Sequence, residues 1–318
     1  MACCVIGGSG FIGCHVVDRL LAGGREVLVV GRRKEAPPRL DRRARYQCHD
    51  YGDKAFVAQA LSGVDEVIDL AYSTVPKSSF DDPVYDITTN LPQAVNLLQG
   101  LADKGGIRKV VVVSSGGTVY GAALQVPVTE DHQTNPISPY GITKLAVERY
   151  AFMYHRLFDL PATVVRPSNA FGEGQLPDRG QGFIANAIAA ILRNEPVTVF
   201  GGDQIVRDYV HVADVADGIV AVLERGRAGR CYNIGSGTGR TTNEVLALIS
   251  GLAQRAGIRT TVEQRPLRGF DVPINVLDCR RIQTETGWAM KIGFEEGLER
   301  TWRWFVDGRA NLSHSPNR

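Results

Sequence analysis

The chain has 318 residues, 44% of them hydrophobic, and a formal net charge of +2. That is enough apolar material for one large α/β domain or two lobes, and the charge is too balanced to mark a nucleic-acid or membrane surface. No stretch approaches the roughly 20 apolar residues that span a bilayer, the six cysteines show no metal-ligand spacing, and scattered thiols of this kind suit a reducing cytoplasmic compartment.

Short β-branched runs alternate with longer amphipathic segments through the first half, the pattern of a parallel sheet with crossover helices. Strands are expected over 3–6, 26–30, 46–49, 66–70, 109–114 and 162–166, with helices over 11–22, 54–61, 84–102 and 139–158. After residue 169 glycine and proline become more frequent. Shorter strands (197–200, 206–210, 231–234 and 260–264) then lie among helices over 183–192, 213–224, 242–256 and 294–306. The expected organisation is a doubly wound parallel sheet over 1–169 and a smaller α/β lobe mainly over 170–308, with room for one or two elements to return to the main sheet. A polar tail over 309–318 follows.

The first strand meets the first helix at Val5-Ile6-Gly7-Gly8-Ser9-Gly10-Phe11-Ile12-Gly13. Gly7, Gly10 and Gly13 permit a tight turn, close backbone approach to a pyrophosphate, and helix–strand packing, so this segment is expected to bind a dinucleotide. The spacing is Gly-x-x-Gly-x-x-Gly rather than Gly-x-Gly-x-x-Gly. The second strand ends in Arg32 and Arg33 where an acidic residue would hold the ribose of NAD. Paired guanidiniums suit a 2′-phosphate and favour NADP over NAD, although they could also be solvated or stack on adenine. Asp50, after the third strand, is placed to accept from the adenine amine, with Tyr51 beside it.

Tyr140 and Lys144 stand four apart at the start of a helical segment, so both lie on one face. An ammonium favours the phenolate of a neighbouring tyrosine, which would bring the phenol into range as a general base. Alone this pair is as readily an exposed i,i+4 contact. Following a phosphate-binding turn in the same chain, it is a stronger signal than either motif alone.

With these motifs and the intervening Ser114-Ser115-Gly116-Gly117-Thr118-Val119-Tyr120-Gly121, the chain resembles the extended short-chain dehydrogenase/reductases, and among them the UDP-glucose 4-epimerase family. The resemblance spans roughly residues 2–306. It implies a Rossmann-like domain, a nucleotide-sugar lobe, a UDP-hexose substrate with or without an N-acetyl group, and epimerisation through a transient 4-keto sugar. Tyr140 would be the base, Lys144 its partner and holder of the nicotinamide ribose, and a Ser or Thr hydroxyl would steady the reacting oxygen. Position 116, often that hydroxyl, is glycine here, which leaves Ser115, favoured, or Thr118, or a site that works without it. Gly116-Gly117 also lacks the Asp-Glu pair of related dehydratases.

The same resemblance places Leu70, Ala71, Tyr72, Asn90 and Pro167 beside the cofactor. It puts Asn169, Arg207 and Arg268 on the substrate phosphates and Val199 and Phe200 at the uracil. Asp271 would be the acid that follows Arg268 at the substrate, or only orient that arginine, and Asn275, where a large Tyr can narrow the sugar pocket, would admit an N-acetyl group. Arg207 and Arg268 could instead be surface ion-pair partners, and His211 reads as a packed core residue. The helices over 84–102 and 139–158 imply a homodimer, with Val95, Leu98, Val147 and Phe152 as contacts unless they face this chain's own core. A keto-reductase using NADP(H) and a non-catalytic NADP-binding protein remain the alternatives.

Overall fold

Valine-rich runs in a parallel sheet must be covered on both faces, and here they are. In the computed structural model, which describes residues 1–50, 60–269 and 271–308, the main sheet holds β1 (Ala2–Ile6), β2 (Glu26–Gly31), β3 (Arg45–Cys48), β4 (Glu66–Asp69), β5 (Lys109–Val113), β6 (Ala162–Pro167) and, from the second half, β10 (Cys231–Ile234). Its order is β3-β2-β1-β4-β5-β6-β10 and every neighbouring pair is parallel. Strand alternation divides the core between the two faces. Cys3 and Val5 pack with α1 (Phe11–Ala22) and, further along the chain, α6 (Val212–Arg225). Cys4 and Ile6 point the other way, toward α3 (Pro83–Lys104) and α4 (Pro139–Phe158). Because β1 lies between β2 and β4, the connections leave it in opposite directions. This opens a crevice at the carboxyl ends of the strands, where ligands of such folds bind.

The second half adds a four-stranded sheet of β7 (Asn169–Phe171), β9 (Val206–His211), β11 (Gly239–Thr241) and β13 (Ile274–Asn275), and a pair, β8 (Val197–Phe200) with β12 (Val262–Arg265). They pack with α5 (Phe183–Leu192), α7 (Thr242–Arg255) and α9 (Phe294–Asp307) around a third apolar cluster. The short α2 (Pro76–Asp81) and α8 (Arg280–Thr286) are outside the expected set, as are β7, β11 and β13. Segments of two or three residues are too brief to carry a period. Tyr51, most of the helix expected over 54–61, and the tail over 309–318 lie outside the described residues.

Candidate active site

Glycine is a steric requirement at two positions of the first turn and a close fit at a third. Gly7 has φ +76°, and a Cβ there would stand 2.9 Å from Ala71 N. At Gly13 it would stand 2.4 Å from Gly7 O, and at Gly10 3.2 Å from the same oxygen. The turn is therefore pressed against the segment leaving β4, and its three glycines with Phe11 and Ile12 form one end of a cavity of about 570 Å³. Leu70, Tyr72 and Pro167 belong to the same wall. Ala71 backs the glycines, with its N–H on Asp69 Oδ1 at 3.1 Å, and Asn90 fixes that segment by accepting from Ser73 N at 2.8 Å.

Ser138 sets the phase of α4. Its Oγ accepts from Gly141 N at 3.1 Å, and Pro139 sits at the first helical position, where a missing N–H does no harm. Tyr140 and Lys144 consequently face the cavity one turn apart. The Tyr140 N–H donates to Ser79 Oγ of α2 at 3.1 Å. Lys144 Nζ donates to Val113 O at 2.8 Å and lies 4.0 Å from the centroid of the Tyr72 ring, against 5.9 Å for Tyr140. Tyr72 meets Tyr140 edge-on, with centroids 4.8 Å apart.

Burial pushes the Tyr140 phenol well above the usual range and the Asp86 carboxylate pushes it further, while a hydrogen bond with Ser115 works against both. Burial also pulls Lys144 down to about 8, opposed by Asp69, Glu148 and Asp86. Lys144 is not among the groups that set the phenol's proton affinity in the protein alone. Desolvation governs the phenol, and the ammonium is engaged by a carbonyl, a second ring and three carboxylates.

Of the candidate hydroxyls, Ser115 is the one whose hydroxyl opposes the upward shift of the Tyr140 phenol. Position 116 has no room for a side chain, since an added Cβ would stand 2.5 Å from Leu277 Cδ1 and 2.9 Å from Arg166 O. Ser114 Oγ, Thr118 Oγ1 and Ser168 Oγ line the cavity and are buried without a partner among the described residues. Unsatisfied hydroxyls around a glycine cradle fit a phosphate- and hydroxyl-bearing ligand such as a dinucleotide with a sugar.

The far end of the cavity is cationic. Asp271 holds Arg268 through two bonds of 2.7 and 2.9 Å, and the guanidinium lies 4.6 Å over the Phe200 ring. Arg207 Nη1 donates to the Val206 and Pro273 carbonyls at 3.0 and 3.2 Å, and burial lowers its proton affinity. Asn169, on the wall between, donates to Asp208 O at 3.2 Å.

Several expected residues lie elsewhere. Val199 is fully buried in the second-half core, because its strand turns Thr198 and Phe200, not Val199, to the cavity. Asn275 is buried off the cavity wall, its Nδ2 donating to Gly116 O at 3.0 Å. Arg32, Arg33 and Asp50 are exposed at the carboxyl ends of β2 and β3, off the cavity wall. Tyr46 donates to Arg33 O at 2.8 Å and Gln93 to Asp50 Oδ1 at 3.3 Å. His211 is buried with Nε2 2.9 Å from Glu173. Leu98 and Val147 face this chain's own core, with Val95 and Phe152 packed against it. Sequence reading missed Ser79 and Asp86. A signal for Asp86 existed, because it shares the buried face of α3 with Asn90, Ala94 and Leu97.

Comparison with known proteins agrees with this geometry. The family model of the NAD dependent epimerase/dehydratase family matches residues 3–235. The UDP-glucose 4-epimerase of Mycolicibacterium smegmatis is 34% identical over 310 residues, covering 95% of this chain and 97% of its own. The crystal structure of Thermotoga maritima UDP-glucose 4-epimerase with UDP-glucose superposes with a TM-score of 0.91 at 33% identity, over 97% of this chain and all of its own. The dTDP-glucose 4,6-dehydratase DesIV of Streptomyces venezuelae, solved with NAD, gives a TM-score of 0.89 at 31% identity over 98% of each chain. The family is NAD-dependent and this neighbour holds NAD, so the preference for NADP read from Arg32 and Arg33 is not supported. With its Rossmann-type sheet, glycine turn and Tyr140–Lys144 pair, the chain belongs to the NAD dependent epimerase/dehydratase family.

Proposed function

We propose that the protein is a nucleotide-sugar 4-epimerase acting on a UDP-hexose, with UDP-glucose and UDP-galactose as the first pair to test. The observation that carries this reading is the contents of one cavity. A glycine turn stands at one end, Tyr140, Lys144 and Ser115 at the middle, and Arg207 with Arg268 at the other. The relatives named as UDP-glucose 4-epimerases support it. Gly116-Gly117, which offers no carboxylates after Ser115, disfavours 4,6-dehydration.

Gly7, Gly10 and Gly13, with the N-terminus of α1, would hold the pyrophosphate of NAD, and Leu70, Tyr72, Pro167 and Lys144 would line its nicotinamide half. When bound, NAD supplies the hydride acceptor and donor for C4 of the sugar. Arg207 and Arg268 fix the substrate diphosphate through charge-assisted hydrogen bonds, and Phe200 offers its ring to the uracil. Ser115 hydrogen-bonds the reacting O4 and the phenol together. Tyr140 takes the O4 proton as the carbonyl forms and returns it when C4 is reduced from the opposite face. Lys144, anchored on Val113 O, keeps positive charge beside the phenol. Positioning and base tuning are the protein's share of the rate.

Incubation with UDP-glucose, its N-acetyl counterpart and dTDP-glucose, with products identified by NMR, tests the reading. The expected result is UDP-galactose with no net rise in absorbance at 340 nm, and a loss of about 10²–10⁴-fold in kcat for Tyr140→Phe. Accumulating reduced cofactor would mark a dehydrogenase instead, and full activity of the Phe variant would remove Tyr140 from the mechanism. We also propose a homodimer through the outer faces of α3 and α4, where Val84, Ile87, Ile142 and Leu157 are exposed.

A further inference from the structure

Asp86 is wholly buried on the first turn of α3, and the mechanism above assigns it nothing. A buried carboxylate is costly unless its oxygens are satisfied, and here they are satisfied by groups from two other segments. Thr143 Oγ1, one residue before Lys144, donates to Asp86 Oδ2 at 2.6 Å. Thr74 Oγ1, five residues beyond the end of β4, donates to Oδ1. Asn90 Nδ2 closes the set, donating to the Asp86 carbonyl at 2.8 Å and to Thr74 Oγ1 at 3.2 Å. No Lys, Arg or His among the described residues pairs with the carboxylate. Its field therefore falls on whatever lies across the α3–α4 contact, and that is the first turn of α4.

We propose that Asp86 is a positioning residue of the Tyr140–Lys144 pair: its carboxylate, clamped by Thr74 and Thr143, fixes where α4 presents the two side chains and opposes ionisation of the phenol while favouring the charged ammonium. The inference rests on the reading of Tyr140 and Lys144 as the working pair. Across this contact Tyr140 meets the Asp86 charge from α3 and the Ser115 hydroxyl from the loop after β5. Lys144 meets Asp69 from β4, Glu148 one turn on in α4, and Asp86. Asp86 is the carboxylate common to both. It holds the resting pair as phenol and ammonium, so the base ionises only when further positive charge enters the cavity.

The test is direct titration of the phenol in the full chain, needing no substrate. Tyrosine labelled with ¹³C at Cζ is followed by NMR against pH, with Tyr140→Phe assigning the resonance. In the parent the Tyr140 signal should keep its protonated shift to pH ~10, the usual midpoint for tyrosine. Asp86→Asn preserves the shape and an acceptor for Thr143, and should move the Tyr140 midpoint down by about one unit or more. The acid limb of the kcat profile should follow, with KM for the UDP-sugar unchanged. Thr143→Ala keeps the charge but loosens the clamp, and should lower kcat several-fold while leaving the phenol midpoint in place. A parent midpoint below pH 10, or an Asp86→Asn titration that superposes on the parent, overturns the proposal. If Asp86→Asn does not fold, a parent midpoint below pH 10 still overturns the proposal, and Thr143→Ala with unchanged kcat overturns the clamp. Absence of any sugar-nucleotide turnover would defeat the epimerase reading alone, because the titration does not depend on it.

Discussion

Lys144 and Asp69 show how strongly desolvation weighs on single residues at this site. Burial pushes the Asp69 carboxyl up to about 6, against the pull of Lys144 and the Ala71 N–H, and pulls Lys144 down to about 8. An acid raised above its unfolded value binds more protons folded than unfolded, so its ionisation costs stability as pH climbs from about 4 to 6. Lys144, a base lowered by burial, costs stability below pH 8, and that cost fades as pH rises toward its unfolded value. Asp69→Asn keeps the acceptor for Ala71 N and removes the charge. It is expected to raise stability at pH 7 by on the order of 1 kcal/mol, a gain that vanishes below about pH 4, where Asp69 is protonated in both states. Lys144 then loses its strongest carboxylate, so the alkaline limb of kcat should fall below pH 8. Thermal unfolding and kcat measured across pH 4–9 check both halves. A variant less stable than the parent at pH 7 would contradict the first, and an unmoved alkaline limb the second.

At the scale of elements, α3 and α4 combine an inner face that was legible in the sequence with an outer face that was not. The Ser138-Pro139 start of α4 and the glycine spacing of the first turn are local signals, and both place their residues where the chain pattern predicts. What the sequence could not display are contacts made at a distance. Ser79 and Tyr140 are 61 residues apart, Thr143 and Asp86 57, and Asn275 and Gly116 159. Val199 and Phe200 could not be sorted between core and cavity until the pairing of β8 with β12 fixed which side faced in. The same limit left Leu98 and Val147 open between a partner and this chain's own core, because the helical period marks them as apolar without saying which neighbour covers them. The residues left outward are Val84 at 67% exposure, Ile87 at 46%, Ile142 at 56% and Leu157 at 65%. Apolar surface repeated along two adjacent helices suits a self-complementary contact. Light scattering at micromolar concentration is expected to give twice the chain mass, and Ile87→Glu with Ile142→Glu to return it to monomer. A monomeric parent would end the dimer proposal.

Over the whole molecule, the helix that carries Tyr140 and Lys144 is tied to the second half of the chain through a network centred on one buried ion pair. Arg166 of β6 takes both Glu148 oxygens, at 2.9 and 2.5 Å, and donates to Tyr120 Oη at 2.8 Å. Tyr120 donates to Asn233 Oδ1 of β10 at 2.7 Å, and Asn233 Nδ2 reaches the Val128 and Asp278 carbonyls at 2.9 and 3.2 Å. Glu148 is one turn beyond Lys144, so the same chain of bonds seats α4 on the sheet and joins it to β10, which completes that sheet from the second half. Such a pair adds little when intact compared with apolar packing, but removing one partner strands the other charge out of water. Glu148→Gln should therefore cost about 3–5 kcal/mol, read as a lower urea midpoint, and Lys144 should lose part of what keeps it charged. Pairing the change with Arg166→Met removes the stranded guanidinium and should recover most of that loss, since no buried charge is then left alone. A single variant within about 0.5 kcal/mol of the parent would mean that Tyr120 and the packing around β6, rather than the ion pair, hold α4 in place.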